Sequence, residues 1–143
     1  MLSFSEYQRL TSPDPTRAIS THTRILIADD DPDTLELLVL AIYGQGIETY
    51  VASDGIELLS VIAESGPFDL IVTDINMPWM EGLQVLASIR EAGLDTPVLV
   101  VTGLDRPQLP ATVAGFGNTM LLRKPFEIED VRRAIATLIG RTL

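Results

Sequence analysis

The chain has 143 residues, 46% of them hydrophobic, a net charge of −10, no cysteine and a single histidine, His22. That length suits one domain with a real core, and the apolar content excludes a disordered chain. Without cysteine or a second histidine, disulfides, thiolate sites and zinc sites of several imidazoles are excluded, and so acidic a chain repels nucleic-acid phosphates.

Residues 1–23 form a polar leader containing Pro13 and Pro15. Ser3-Phe4-Ser5-Glu6 fits a capping box, with Phe4, Tyr7 and Leu10 on one helical face, so a loose tail and a short helix are both open. His22 reads as a surface residue before the first strand. The spacing then predicts a strand over 24–28 and a helix over 32–43, carried by Leu35, Leu38, Val39 and Ile42 and stopped by Gly44 and Gly46. A strand follows at 48–52, and a helix at 55–64 after the turn Asp54-Gly55. Gly66-Pro67 precedes a strand at 69–73. The loop Asn76-Met77-Pro78-Trp79-Met80-Glu81-Gly82 leads into a helix at 82–92. Trp79 reads either as a partly exposed loop residue or as one with a functional contact.

A strand at 97–101 precedes a stretch holding Pro107, Pro110, Gly115 and Gly117, where only a short or irregular element is expected. A strand at 119–122 and a helix at 127–140 complete the pattern. Five β/α units with short connections predict an α/β fold: a doubly wound, three-layer α/β/α sandwich on a five-stranded parallel sheet, in the order 2-1-3-4-5. The domain is expected over 24–143. No apolar stretch approaches a membrane span and the N-terminus carries no signal pattern, so a soluble, cytoplasmic protein without membrane insertion is expected.

Four of the apolar runs end on residues able to do chemistry. Ile25–Ala28 runs into Asp29-Asp30-Asp31, Leu70–Thr73 into Asp74, Val98–Val101 into Thr102-Gly103, and Met120–Leu122 into Arg123-Lys124-Pro125. Buried parallel strands deliver such residues to the carboxyl edge of the sheet, where open α/β folds bind ligands. In the expected strand order Asp29, Asp30 and Asp74 share one crevice. At 4 Å two carboxylates repel by about 4 kcal/mol at an effective dielectric of about 20, so they must take up protons or bind a cation. An all-oxygen donor set suits Mg²⁺, with Mn²⁺ also possible. Capping by Asp31 or Asp33 before Thr34 accounts for one acid but not for the others.

Asp74 is the candidate nucleophile, since a carboxylate accepts a phosphoryl group as an acyl phosphate. Asp29, Asp30, Asp74 and the Asn76 backbone carbonyl are the candidate metal ligands. Lys124 supplies a fixed positive charge and Thr102 a hydroxyl donor for the outer phosphoryl oxygens. The sequence also permits a cis bond at Lys124-Pro125.

At these residues the chain resembles the receiver domains of two-component response regulators. The likeness covers about residues 24–141. It rests on Ile25 to Asp30, on Asp74-Ile75-Asn76-Met77-Pro78 with Glu81-Gly82, on Thr102-Gly103, and on Lys124-Pro125-Phe126. The strand order above is also the family's. The resemblance implies transfer of a phosphoryl group to Asp74 from a histidine kinase or a histidine phosphotransfer protein. It implies an inward pull on Thr102, a switch on the face formed by the fourth helix, fifth strand and fifth helix, and no enzymatic activity beyond the protein's own phosphorylation and dephosphorylation. No output domain is expected within these residues.

Two departures stand out. Leu121 occupies the position, three before the lysine, where many receivers carry Tyr or Phe, and the prolines and glycines break up the fourth helix. They leave open a pseudo-receiver that binds partners without phosphorylation. A haloacid-dehalogenase-like phosphohydrolase is a second alternative, although Asp33 stands where that family needs a hydroxyl or Val.

Overall fold

The computed structural model describes residues 22–77 and 82–143. In chain order the elements are β1 (Thr23–Ala28), α1 (Pro32–Ile42), β2 (Ile47–Ala52), α2 (Gly55–Ser65), β3 (Leu70–Asp74), α3 (Gly82–Glu91), β4 (Val98–Thr102), α4 (Leu109–Ala114), β5 (Thr119–Arg123) and α5 (Ile128–Ile139). The strands form one parallel sheet in the order β2-β1-β3-β4-β5. The three-layer α/β sandwich is therefore present. Residues 1–21 of the leader and the Pro78–Glu81 segment, with the readings of Pro78 and Trp79, lie outside the described residues; His22 is exposed, and β1 begins at Thr23, one residue earlier than expected.

Alternation along the strands divides the core. Ile25, Ile27, Leu70, Val72, Leu99 and Val101 pack with Leu38, Ala41 and Ile42 of α1 and Val131, Ala134 and Ile135 of α5. Leu26, Ala28, Ile71, Val98 and Val100 pack on the opposite face with Leu58 and Val61 of α2, Val85, Leu86 and Ile89 of α3, and Leu109 and Val113 of α4. Burial of each such side chain stabilises the fold by about 2 kcal/mol. Strands covered on both faces read as continuous apolar runs, which is why β1, β3 and β4 were legible.

Helix starts follow from side-chain chemistry. The Asp31 carboxylate accepts from Asp33 N–H at 3.3 Å and from the Thr34 hydroxyl at 2.7 Å, opening α1. Asp54 accepts from Glu57 N–H at 2.7 Å and opens α2. These bonds satisfy amides that the helix cannot pair internally. The α4 helix has only six residues, with Pro110 in its first turn, where a missing amide is tolerated. It is the short element that the prolines and glycines predict.

Two arginines tie down the amino-terminal edge of the sheet. The Arg24 guanidinium donates to Glu48 at 2.7 Å, Tyr50 Oη at 2.9 Å and the Ser65 and Pro67 carbonyls at 2.7 and 2.6 Å, between the rings of Tyr50 and Phe68. Burial lowers its pKa, but the bonds to Tyr50 and Glu48 outweigh that and hold it above the usual value. Arg90, near the end of α3, donates to the carbonyls of Phe116, Leu94, Thr96 and Gly117 at 3.0, 2.9, 2.9 and 2.8 Å.

Candidate functional site

The carboxyl edge of the central strands gathers the chemistry. Asp29 directly follows β1, and its N–H donates to Ala52 O at 3.1 Å. Its side chain is buried: Oδ1 accepts from Asp31 N–H at 2.9 Å and Oδ2 from Lys124 Nζ at 3.1 Å. Asp74 ends β3 and is also buried. Its Oδ1 accepts from Asn76 N–H at 2.8 Å, its Oδ2 from Lys124 Nζ at 2.8 Å, and its main-chain oxygen from the Thr73 hydroxyl at 2.8 Å. The phosphoacceptor candidate is thus held at three atoms. Asp30 is exposed, yet it offers a carboxylate oxygen within 4.8 Å of those of Asp29 and Asp74.

Lys124 reaches this cluster from the end of β5. Its peptide bond to Pro125 is cis, and its N–H donates to Thr102 O at 2.8 Å. Among the described residues one ammonium, bonded to Asp29 and Asp74, serves a cluster of three carboxylates, so the cluster retains excess negative charge. Burial raises the pKa of Asp29; bonds from Asp31 N–H and Lys124 pull it back down, and the neighbouring Asp74 charge raises it again. Burial lowers the Lys124 pKa, but the bonds to Asp74 and Asp29 prevail and leave it raised. The donor set meets the needs of a hard divalent cation: oxygen atoms only, crowded negative charge, two of the three acids buried and one open to solvent.

Thr102, the last residue of β4, is fully buried. Its hydroxyl oxygen accepts from Leu104 N–H at 3.0 Å. Among the described residues this hydroxyl makes no hydrogen bond to Asp74 or to the Lys124 ammonium; the Thr102 link to Lys124 is through its main-chain oxygen. The sequence pattern marked Thr102 as a hydroxyl donor toward the pocket; in this conformation the loop beyond the strand engages it. Asn76 meets the site through its N–H bond to Asp74.

Sequence reasoning passed over two residues here. Thr73 interrupts the apolar run of β3, and a buried hydroxyl next to the candidate acid Asp74 is the signal for it. Arg123 donates through Nη1 to Leu104 O at 3.0 Å and to Asp105 Oδ1 at 3.2 Å. Arg123 stood in the sequence only as a member of the Arg123-Lys124-Pro125 segment; its main-chain acceptor leaves no trace there.

The family model for the response regulator receiver domain matches residues 25–136. The chain belongs to the receiver domain family of response regulators. Among curated relatives, response regulator MprA of Mycobacterium sp. (strain KMS) is 37% identical over 121 residues, which are 83% of this chain and 51% of that protein. MprA of Mycobacterium leprae (strain TN) has the same identity over 83% of this chain and 52% of its own. The chain therefore spans about half the length of the curated relatives it matches. Among solved structures, the receiver domain of Francisella response regulator 1452 is similar with a TM-score of 0.76 at 30% identity, over 83% of this chain and 98% of that one. The chemotaxis response regulator CheY4 of Vibrio cholerae gives 0.73 at 28% identity, over 82% and 99%. This receiver domain thus has the CheY-like, flavodoxin-like fold of two-component signalling proteins. Among its described residues no helix is long and apolar enough to cross a membrane.

Proposed function

We propose that this receiver domain takes a phosphoryl group onto Asp74 from a histidine kinase or a histidine phosphotransfer protein and changes its partner binding as a result. The observation that carries this reading is the Lys124 ammonium bridging Asp74 Oδ2 and Asp29 Oδ2 inside a cluster of three carboxylates. The P–N bond of the phosphohistidine breaks, a P–O bond forms to Asp74, and the donor is left as an imidazole that takes its proton back from solvent. Lys124 sits where it neutralises the charge on the transferred oxygens. The bond from Asn76 N–H fixes the orientation of the Asp74 carboxylate, and Thr102 supplies a hydroxyl once it turns inward.

Asp29, Asp30, Asp74 and the Asn76 carbonyl are the residues that would hold Mg²⁺. When bound, the ion supplies the positive charge that lets a crowded anionic pocket accept an anionic group. The protein acts on itself alone and is not a turnover enzyme.

Mass spectrometry after treatment with acetyl phosphate and Mg²⁺ tests the reading. One phosphoryl adduct is expected on the wild type and none on Asp74→Asn. An unlabelled wild type would overturn the proposal. It would favour instead a receiver that binds partners without phosphorylation, a reading that the six-residue α4 and the ringless Leu121 support.

A further inference from the structure

The loop after β4 is held at both ends of a single residue. Leu104 N–H donates to the Thr102 hydroxyl oxygen at 3.0 Å, and Leu104 O accepts from Arg123 Nη1 at 3.0 Å. The same nitrogen reaches Asp105 Oδ1 at 3.2 Å. Arg123 lies opposite Thr102 in the β4–β5 register and directly before Lys124. Its side chain is 45% exposed and that of Asp105 is 94% exposed. An ion pair so open to water is weak, and the Leu104 bond from the same nitrogen is exposed too; what that bond adds is a tie to the main chain of the residue whose N–H engages the Thr102 hydroxyl.

We propose that Arg123 is a positioning residue for Thr102. By anchoring Leu104, it keeps the N–H of that residue on the Thr102 hydroxyl and so holds the hydroxyl back from Asp74. The inference rests on the phosphoacceptor reading given above. Among the described residues the Thr102 hydroxyl has no bond to Asp74 or Lys124 in this conformation, so serving a phosphoryl group requires it to move. That motion either breaks the Leu104 bond or drags Leu104 along, and the Arg123 fork resists the second course. Leu121, half-buried and without a ring, offers no polar group that could do this work from the middle of β5. The arginine at the strand's end provides a polar tie between β5 and the β4–α4 loop.

The experiment measures the affinity for beryllofluoride, a phosphoryl mimic, in saturating Mg²⁺ for wild type, Arg123→Ala, Thr102→Val and the double variant. Loss of the fork should tighten binding by about threefold, the scale of one weak surface interaction. Mg²⁺ affinity alone should not change, which separates action on Thr102 from action on the adjacent Lys124. In the Thr102→Val background Arg123→Ala should have no further effect, since the hydroxyl it controls is gone. Hydrogen exchange at the Leu104 amide should be faster in Arg123→Ala without any phosphoryl mimic. Unchanged beryllofluoride affinity, an equal shift in the Thr102→Val background, a change in Mg²⁺ affinity, or unchanged Leu104 exchange would each overturn the inference while leaving the phosphoacceptor reading in place. A wild type unable to bind beryllofluoride would overturn both.

Discussion

The acidic end of β1 and β3 and the β4–α4–β5 margin are built to different standards. At the acidic end, Asp74 is anchored at both carboxylate oxygens and at its main-chain oxygen, and every residue of β3 is buried. At the margin, α4 has six residues, β5 is half-buried from Thr119 to Leu122, and a single fork joins Arg123 to the loop. Group transfer needs atoms fixed to a fraction of an ångström, while a response to that transfer needs a segment that rearranges at low energy. On the proposed phosphoacceptor reading, the fully buried β3 meets the first requirement, while the half-buried β5 and the short α4, rather than the equally buried β4, leave room for the second.

The largest test of this contrast is Lys124→Ala. Removing the ammonium that bridges Asp29 and Asp74 should slow phosphoryl uptake from acetyl phosphate on the order of 100-fold. The time course of adduct formation reads this; a rate within twofold of wild type would show that the ammonium is ornamental. Next comes Val113→Ala in α4, which should cost about 2 kcal/mol of stability, visible in thermal melts. Uptake on Asp74 should be unaltered. A parallel loss of uptake would mean that the two regions are not separable.

The smallest effect has the opposite sign. Asp29→Asn should stabilise the metal-free protein by about 1 kcal/mol, because it removes a buried charge from a crowded acidic site. The pH dependence follows from the raised pKa of Asp29, whose first cause is burial. A carboxyl raised in the folded state binds its proton more tightly there than when unfolded. Its charge therefore destabilises the fold fully above the raised pKa, and the penalty fades as pH falls through that value toward the unfolded one. The advantage of Asp29→Asn should accordingly shrink in acid, as chemical denaturation at several pH values would reveal. Added Mg²⁺ should raise the melting temperature of the wild type more than that of Asp29→Asn.

How far the sequence could be read depends on which atoms do the work. Strands buried on both faces and helices opened by Asp31 and Asp54 announce themselves through side-chain type, and so do the acids at the strand ends. The short α4 follows from Pro110 and the glycines for the same reason. The partners of Arg24, Arg90 and Arg123 stayed hidden, because most of what they grip is main-chain carbonyl, which every residue carries. The direction of the Thr102 hydroxyl was equally illegible. It depends on Leu104 N–H competing with the pocket for one oxygen, and spacing alone does not encode such a competition.

The Arg90 clamp has a consequence for tolerance to substitution. Among the described residues none of its acceptors is a carboxylate; all are backbone oxygens of Leu94, Thr96, Phe116 and Gly117 and a longer contact to Asn118. Exchanging the side chains at those positions leaves the oxygens where they are, so long as the turn keeps its path. The burden of preservation falls on one arginine while the segments it grips are free to diversify, and variation can accumulate beside the sheet without unfastening it.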